Sequence, residues 1–168
     1  MTAKPNVRYY ARFRGDNGKV NAFVRYKYTR KCLTTPFNIS REQLSRLTSD
    51  GRLNNYSNTS DSLLEGRLQD WARVVRNVCN GLIREGKFEQ TPSAWIAAAV
   101  RVEWYEKKLE FRNRVKPIDG LLTLLRDPER AFEIKDATIR SEILGLIRAR
   151  KELNQLTEQI REEKGGEK

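Results

Sequence analysis

Val7-Arg8-Tyr9-Tyr10-Ala11-Arg12-Phe13-Arg14 alternates almost perfectly, with Val7, Tyr9, Ala11 and Phe13 on one parity and Arg8, Tyr10, Arg12 and Arg14 on the other. A period of two is the mark of a half-buried strand, because successive side chains point to opposite faces of a sheet. Gly15-Asp16-Asn17-Gly18 follows and supplies residues suited to a hairpin turn. Beyond it Val20, Ala22, Val24, Tyr26 and Tyr28 fall on one face of a second strand, and Asn21, Phe23, Arg25 and Lys27 on the other. A third short strand is expected from Arg30 to Thr35, ended by Pro36. The expectation is a small three-stranded antiparallel sheet with one apolar face and one cationic face.

The charge distribution gives that outer face its meaning. The 168-residue chain has a formal net charge of +11. Its first 48 residues hold Lys4, Arg8, Arg12, Arg14, Lys19, Arg25, Lys27, Arg30, Lys31, Arg41 and Arg46, opposed only by Asp16 and Glu42. The remainder is close to balanced. Charge needed only for solubility has no reason to gather in one folding unit, whereas a phosphate-docking surface concentrates cations and gains affinity from counterion release.

After the sheet the pattern changes. Ser40-Arg41-Glu42-Gln43 reads as a capping box opening a short helix, with Leu44 and Leu47 offered as apolar cover for the strands. Ser49 to Ser60 is polar and loop-like, which places a domain boundary near residue 56: a basic sheet domain over 1–56 and a helical region over 57–168. From there Leu64, Leu68, Trp71, Val75, Val78 and Leu82 recur at helical steps up to Gly86, a C-cap. Thr91-Pro92 starts a second helix carrying Ile96, Val100, Trp104 and Phe111, and Ile118 to Leu125 forms a third, cut off at Asp127-Pro128. The last helix is expected from Lys135 to Glu163, striped by Ile139, Ile143, Leu146, Ala149, Leu153, Leu156 and Ile160. It suits either a bundle or a coiled coil, and is the candidate for homo-oligomer contact. Residues 164–168 should be disordered. The fold class is α+β.

Several functions are disfavoured by what the chain lacks. It has no histidine, which removes the commonest general base and metal ligand at neutral pH. No nucleophile–base pair, zinc spacing or phosphate-cradling glycine loop is present, so no enzyme, metal, cofactor or small-molecule substrate is expected. The two cysteines, Cys32 and Cys79, make no disulfide framework. No apolar run approaches the roughly 20 residues of a membrane span, and the N-terminus carries no signal-like stretch. The expected setting is cytoplasmic, with nucleoid or virion association compatible.

The candidate site is therefore the outer sheet face: Arg8, Tyr10, Arg12, Arg14, Asn21, Phe23, Arg25, Lys27 and Arg30. Arginine pairs bidentately with guanine, asparagine with adenine, and both serve on phosphates, while Tyr10 and Phe23 suit thymine methyls or sugars. The expected partner is double-stranded DNA. Two rivals accompany it: a phage or assembly protein working through a helical oligomerisation region, and an RNA-binding protein stacking bases on Tyr10 and Phe23.

The order of these segments resembles the N-terminal arm-binding and core-binding portion of phage- and transposon-type tyrosine recombinases (integrases). The residues that carry the likeness are the Val20 to Thr35 strands, then Asn80-Gly81-Leu82-Ile83 and Thr91-Pro92 in the helices that follow. That resemblance covers about the first 100 residues. It implies a sheet that reads arm-type DNA sites and a role in mobile-element or phage recombination or its regulation. The chain departs from the family in having leucine (Leu44 or Leu47) where a tryptophan is common. It also has no histidine and no tyrosine after Tyr105 to serve a recombinase catalytic domain. The implied role is consequently non-catalytic.

Overall fold

In a computed structural model, residues 4–47 and 62–165 are described; the side chains of 45–47 and 62–65 are outside that description. The fold is α+β. Strands β1 (Asn6–Arg14), β2 (Asn17–Tyr26) and β3 (Thr29–Ser40) precede helices α1 (Arg41–Leu47), α2 (Ser62–Arg84), α3 (Ser93–Val115), α4 (Leu121–Arg126), α5 (Pro128–Ala131) and α6 (Ala137–Gly165). Two compact units divide the chain, Met1–Ala97 and Ala98–Lys168. The boundary expected near residue 56, like the loop over 49–60 and the side chains of Leu47 and Leu64, lies outside the described residues.

In the first unit the strands form an antiparallel sheet of order β1-β2-β3. The β1–β2 turn is Gly15-Asp16, with Gly15 at φ 64° and Asn17 already opposite Arg14 in the ladder. The β2–β3 turn is Lys27-Tyr28, with Lys27 at φ 51°. Tyr28, expected on the apolar face of β2, instead stands in this turn and is fully exposed. The third strand also runs past its expected end at Pro36. A shift in the β2–β3 register takes β3 from Thr34 to Asn38 while β2 advances only from Asn21 to Lys19. Pro36 sits in that bulge, where its missing N–H breaks no regular ladder bond. The Thr35 hydroxyl fills in by donating to the Val20 carbonyl (2.7 Å) and accepting from Phe37 N (3.2 Å). Because two residues are inserted, parity survives: Leu33, Thr35, Phe37 and Ile39 are all buried.

Three strands cannot be stable with both faces in water. Val7, Tyr9, Val20, Ala22, Val24, Leu33, Phe37 and Ile39 form the inner face, and α2 supplies Leu68, Trp71, Ala72 and Val75 to the same core. Tyr9 donates a buried hydrogen bond to the Leu68 carbonyl (2.7 Å), and Phe37 meets Trp71 edge to face at 5.7 Å. Such a pair contributes about 0.5–1.5 kcal/mol beyond area burial. At one end Lys31 lies on this inner side and donates to the carbonyls of Glu89 and Thr91, both at 2.8 Å. The capping box forms as expected: Gln43 N donates to Ser40 Oγ (3.0 Å) and Ser40 N to Gln43 Oε1 (2.9 Å).

Helix α2 ends in a Schellman motif. Gly86, at φ 68°, donates to the Ile83 carbonyl (3.1 Å) and Lys87 N to the Leu82 carbonyl (2.8 Å). The start of α3 departs from expectation, since the Thr91 hydroxyl donates backward to the Lys87 carbonyl (2.8 Å) rather than capping the helix.

The second unit packs α6 antiparallel to the later turns of α3, with α4 and α5 beside them. Its core is Leu109, Ala131, Ile143 and Leu146, flanked by Tyr105, Leu124, Ile134 and Ile139. Gly145 admits the Tyr105 ring, which a Cβ there would meet at 2.6 Å. Ion pairs line the seam: Arg101 on both oxygens of Glu152 (2.9 Å each), Arg150 on Glu106 (2.9 Å) and Arg112 on the buried Glu142 (Nη2 to Oε1, 3.0 Å), which Lys108 also approaches at 3.7 Å. Phe111, expected on the apolar stripe of α3, is 63% exposed. Helix α6 continues through Gly165, so Lys164 and Gly165, expected to be disordered, are helical; residues 166–168 lie outside the described residues.

Two measurements check these terminal devices. Ala at position 86 must adopt a left-handed φ, so Gly86→Ala should lower stability by about 1 kcal/mol in a urea melt, with no loss of fold. Asp136 caps α6 by accepting from Thr138 N (2.9 Å) and Ile139 N (3.0 Å). The Ile139 bond first, then the Thr138 bond and the nearby Arg112 and Lys116, hold its carboxyl below the usual aspartate range. The stabilisation is thus present above the unfolded value of about 3.9 and lost as pH falls through the lower folded value. The difference in melting temperature between the parent and Asp136→Ala should be full at pH 7 and close progressively below about pH 4.

Candidate nucleic-acid interface

Pairing register fixes what the outer face presents. From one end to the other its cross-strand rungs are Arg12·Lys19·Asn38, Tyr10·Asn21·Thr34, Arg8·Phe23·Cys32 and Asn6·Arg25·Arg30. Arg14 stands beyond the first rung. Outer strands about 10 Å apart make this face comparable in width to the roughly 12 Å major groove. Arg8, Arg12, Arg14, Lys19, Arg25 and Arg30 are exposed, and none makes an ion pair with a described residue. The helical unit behaves oppositely, pairing Arg101, Lys107, Lys108, Arg112, Arg114 and Arg150 with glutamates. An uncompensated row of cations on one face raises a positive potential there.

At the centre of the face lies a stack. The Tyr10 and Phe23 rings are 4.2 Å apart and 15° from parallel, and the Arg30 guanidinium sits 3.5 Å from the Phe23 centroid. By register Tyr10 belongs to the rung on one side of Phe23 and Arg30 to the rung on the other, so both faces of the Phe23 ring are covered. Tyr10 starts on β1, and its hydroxyl reaches Cys32 Sγ on β3 (3.0 Å), so its ring crosses β2. Burial first, then this contact with Cys32, raises the Tyr10 pKa above the usual phenol value, against the pull of Arg12 and Arg30. The hydroxyl stays neutral at physiological pH.

The site differs from expectation at two residues. Asn21 has the outward parity but is only 7% exposed, lying on the central strand next to the crossing Tyr10 ring; its amide donates to the Lys19 carbonyl (3.4 Å). Little of its amide is open to a base edge. Lys27 is not on the face at all: it occupies the β2–β3 turn, with its ammonium 5.4 Å from the inner-face ring of Tyr26. Conversely, Lys19, Cys32 and Asn6 join the face, beyond the expected set. Counting parity back from Asn21 and forward from Arg30 would have found Lys19 and Cys32. Arg41 and Lys31, part of the basic excess, have structural roles. Arg41 donates to the Gly15 carbonyl (3.0 Å) and lies 4.8 Å from the Phe13 ring; Lys31 ties down the α2–α3 connection.

At the turn end of the sheet an open groove of about 450 Å³ is lined by Asn6, Arg8, Phe23, Arg25, Tyr28 and Arg30. Among the described residues no cluster of histidine, cysteine or acidic side chains is arranged to hold a metal ion, and no helix is long and apolar enough to cross a membrane. No protein-family model, curated protein or solved structure matches this chain.

The two thiols offer a direct check on the geometry. Cys32 is exposed on the face, whereas Cys79 is fully buried in the core and desolvation pushes its pKa up to about 12. A maleimide at neutral pH should label one thiol per native chain, two in urea, and none in native Cys32→Ser.

Proposed function

We propose that the outer face of the N-terminal sheet binds double-stranded DNA without catalysing a reaction on it, in mobile-element or phage recombination or its regulation. The observation that supports DNA contact is the row of exposed cations, Arg8, Arg12, Arg14, Lys19, Arg25 and Arg30, without an ion pair to any described residue and turned to one side of a groove-width sheet. The recombination setting rests on the resemblance of the strand and helix order to integrase N-terminal regions. Cytoplasmic localisation is part of the same reading.

RNA recognition on this face would use Tyr10 and Phe23 as stacking platforms. Both Phe23 faces and one Tyr10 face are already occupied by the internal stack, which favours the duplex over splayed single-stranded bases along the middle of the sheet. There the stack acts as a rigid floor that holds Arg30 in place. Arginine held by an aromatic loses less freedom on meeting a phosphate or a guanine edge.

Fluorescence anisotropy on a labelled 20-base-pair duplex tests the reading. If about five cations neutralise phosphates, log K should fall against log salt with a slope of roughly −4 to −5. Arg8→Ala or Arg12→Ala should each weaken binding and make the slope shallower by about 1. Bound duplex should also slow maleimide labelling of Cys32. A duplex that does not bind at about 100 mM salt, where such contacts still dominate, would rule the assignment out.

A further inference from the structure

We infer that the groove at the turn end of the sheet holds a single nucleotide that has left a base stack, so that the protein prefers a duplex bearing a short single-stranded extension. The inference rests on DNA binding by the outer face and adds to it a distinct sub-site. Three features separate this end from the remainder of the face. The groove of about 450 Å³ is within the range that encloses small-molecule ligands. Its wall carries Arg8, Arg25 and Arg30, three exposed guanidinium groups with no carboxylate partner among the described residues, which is the chemistry of a phosphate cradle. It also carries Tyr28, a fully exposed ring.

Tyr28 makes the difference between a phosphate site and a nucleotide site. The Phe23 ring is sandwiched between Tyr10 and Arg30, so it can wall the groove but cannot stack on a base. Tyr28 is the lining ring left unburied, carried on a two-residue turn. A large aromatic left wholly in water on a tight turn contributes nothing to the core. Beside three arginines it offers a π-face on the wall of the same groove. Asn6, on the same rim, supplies an amide able to donate to and accept from a base edge. Bases stacked inside a duplex have no face to offer Tyr28, whereas an unpaired one does. Stacking of this kind tolerates any base, so the preference is for an unpaired nucleotide and not for a sequence.

The test compares three duplexes by anisotropy at fixed salt: a blunt 20-mer, and the same duplex with a three-nucleotide 5′ or 3′ extension. At least one extension should bind roughly ten-fold tighter than the blunt form, the order that one base-on-aromatic contact supplies. Tyr28→Ala should erase that preference while leaving blunt-duplex affinity unchanged, and Arg12→Ala should weaken all three probes in equal proportion. Because Tyr28 is fully exposed, its replacement leaves the fold intact. A 2-aminopurine in the extension should be quenched on binding to the parent and not to Tyr28→Ala. Equal affinity for blunt and extended probes, or an equal loss on all three with Tyr28→Ala, overturns the nucleotide site and leaves duplex binding standing. Failure of every probe to bind overturns both.

Discussion

A three-stranded sheet has one face too many to bury, and the rest of the first unit follows from how that is resolved. Helix α2 lies over the inner side, with Trp71 against Phe37 and the Leu68 carbonyl accepting from Tyr9. Strict alternation then sends every second residue of each strand to the other side. Positive charge cannot be distributed at will on such a sheet; apart from Lys31, which reaches out at one end of the inner side, the cations of the strands appear together on the outer face. The same step that stabilises the unit therefore assembles the cationic surface.

The surface is ordered as well as charged. Crossing β2 to reach Cys32, the Tyr10 ring lays a floor under the rungs, and Phe23 passes that rigidity on to Arg30. The second unit uses its charges differently. Glu142 is buried and met by Arg112 and Lys108, and Glu152 and Glu106 are met by arginines of the partner helix. Basic residues there zip helices together; those on the outer sheet face meet no acid among the described residues.

Much of this was legible in the chain. Period-two alternation located β1 and β2 and their inner faces, the Ser40 to Gln43 spacing located the helix start, and Gly86 located the end of α2. What escaped reading depended on three-dimensional neighbours. Pro36 reads as a strand end because a lost N–H ordinarily breaks the ladder; the bulge that removes this cost depends on β2, although the alternation of Leu33, Thr35, Phe37 and Ile39 runs on past it. Nothing local says that Asn21 is covered, since its neighbour Tyr10 arrives from another strand. The alternation of β2 continues in the chain through Lys27 and Tyr28, although a tight turn has already begun there. Phe111 shows the converse limit: helical spacing names a face, but not whether something packs on it.

The bulge at Thr35-Pro36-Phe37 has a consequence for self-association. β3 is an edge, and an edge strand offers unsatisfied backbone groups to any passing chain. Like charge on the outer faces opposes the approach of a second copy, and any neutralisation of that charge weakens the opposition. A proline without an N–H, set in a bulge, interrupts the regular hydrogen-bonding pattern of the strand whatever the ionic conditions. On β3, an obstacle to fibre-like edge pairing is thus written into the backbone, where neutralising the side chains cannot switch it off.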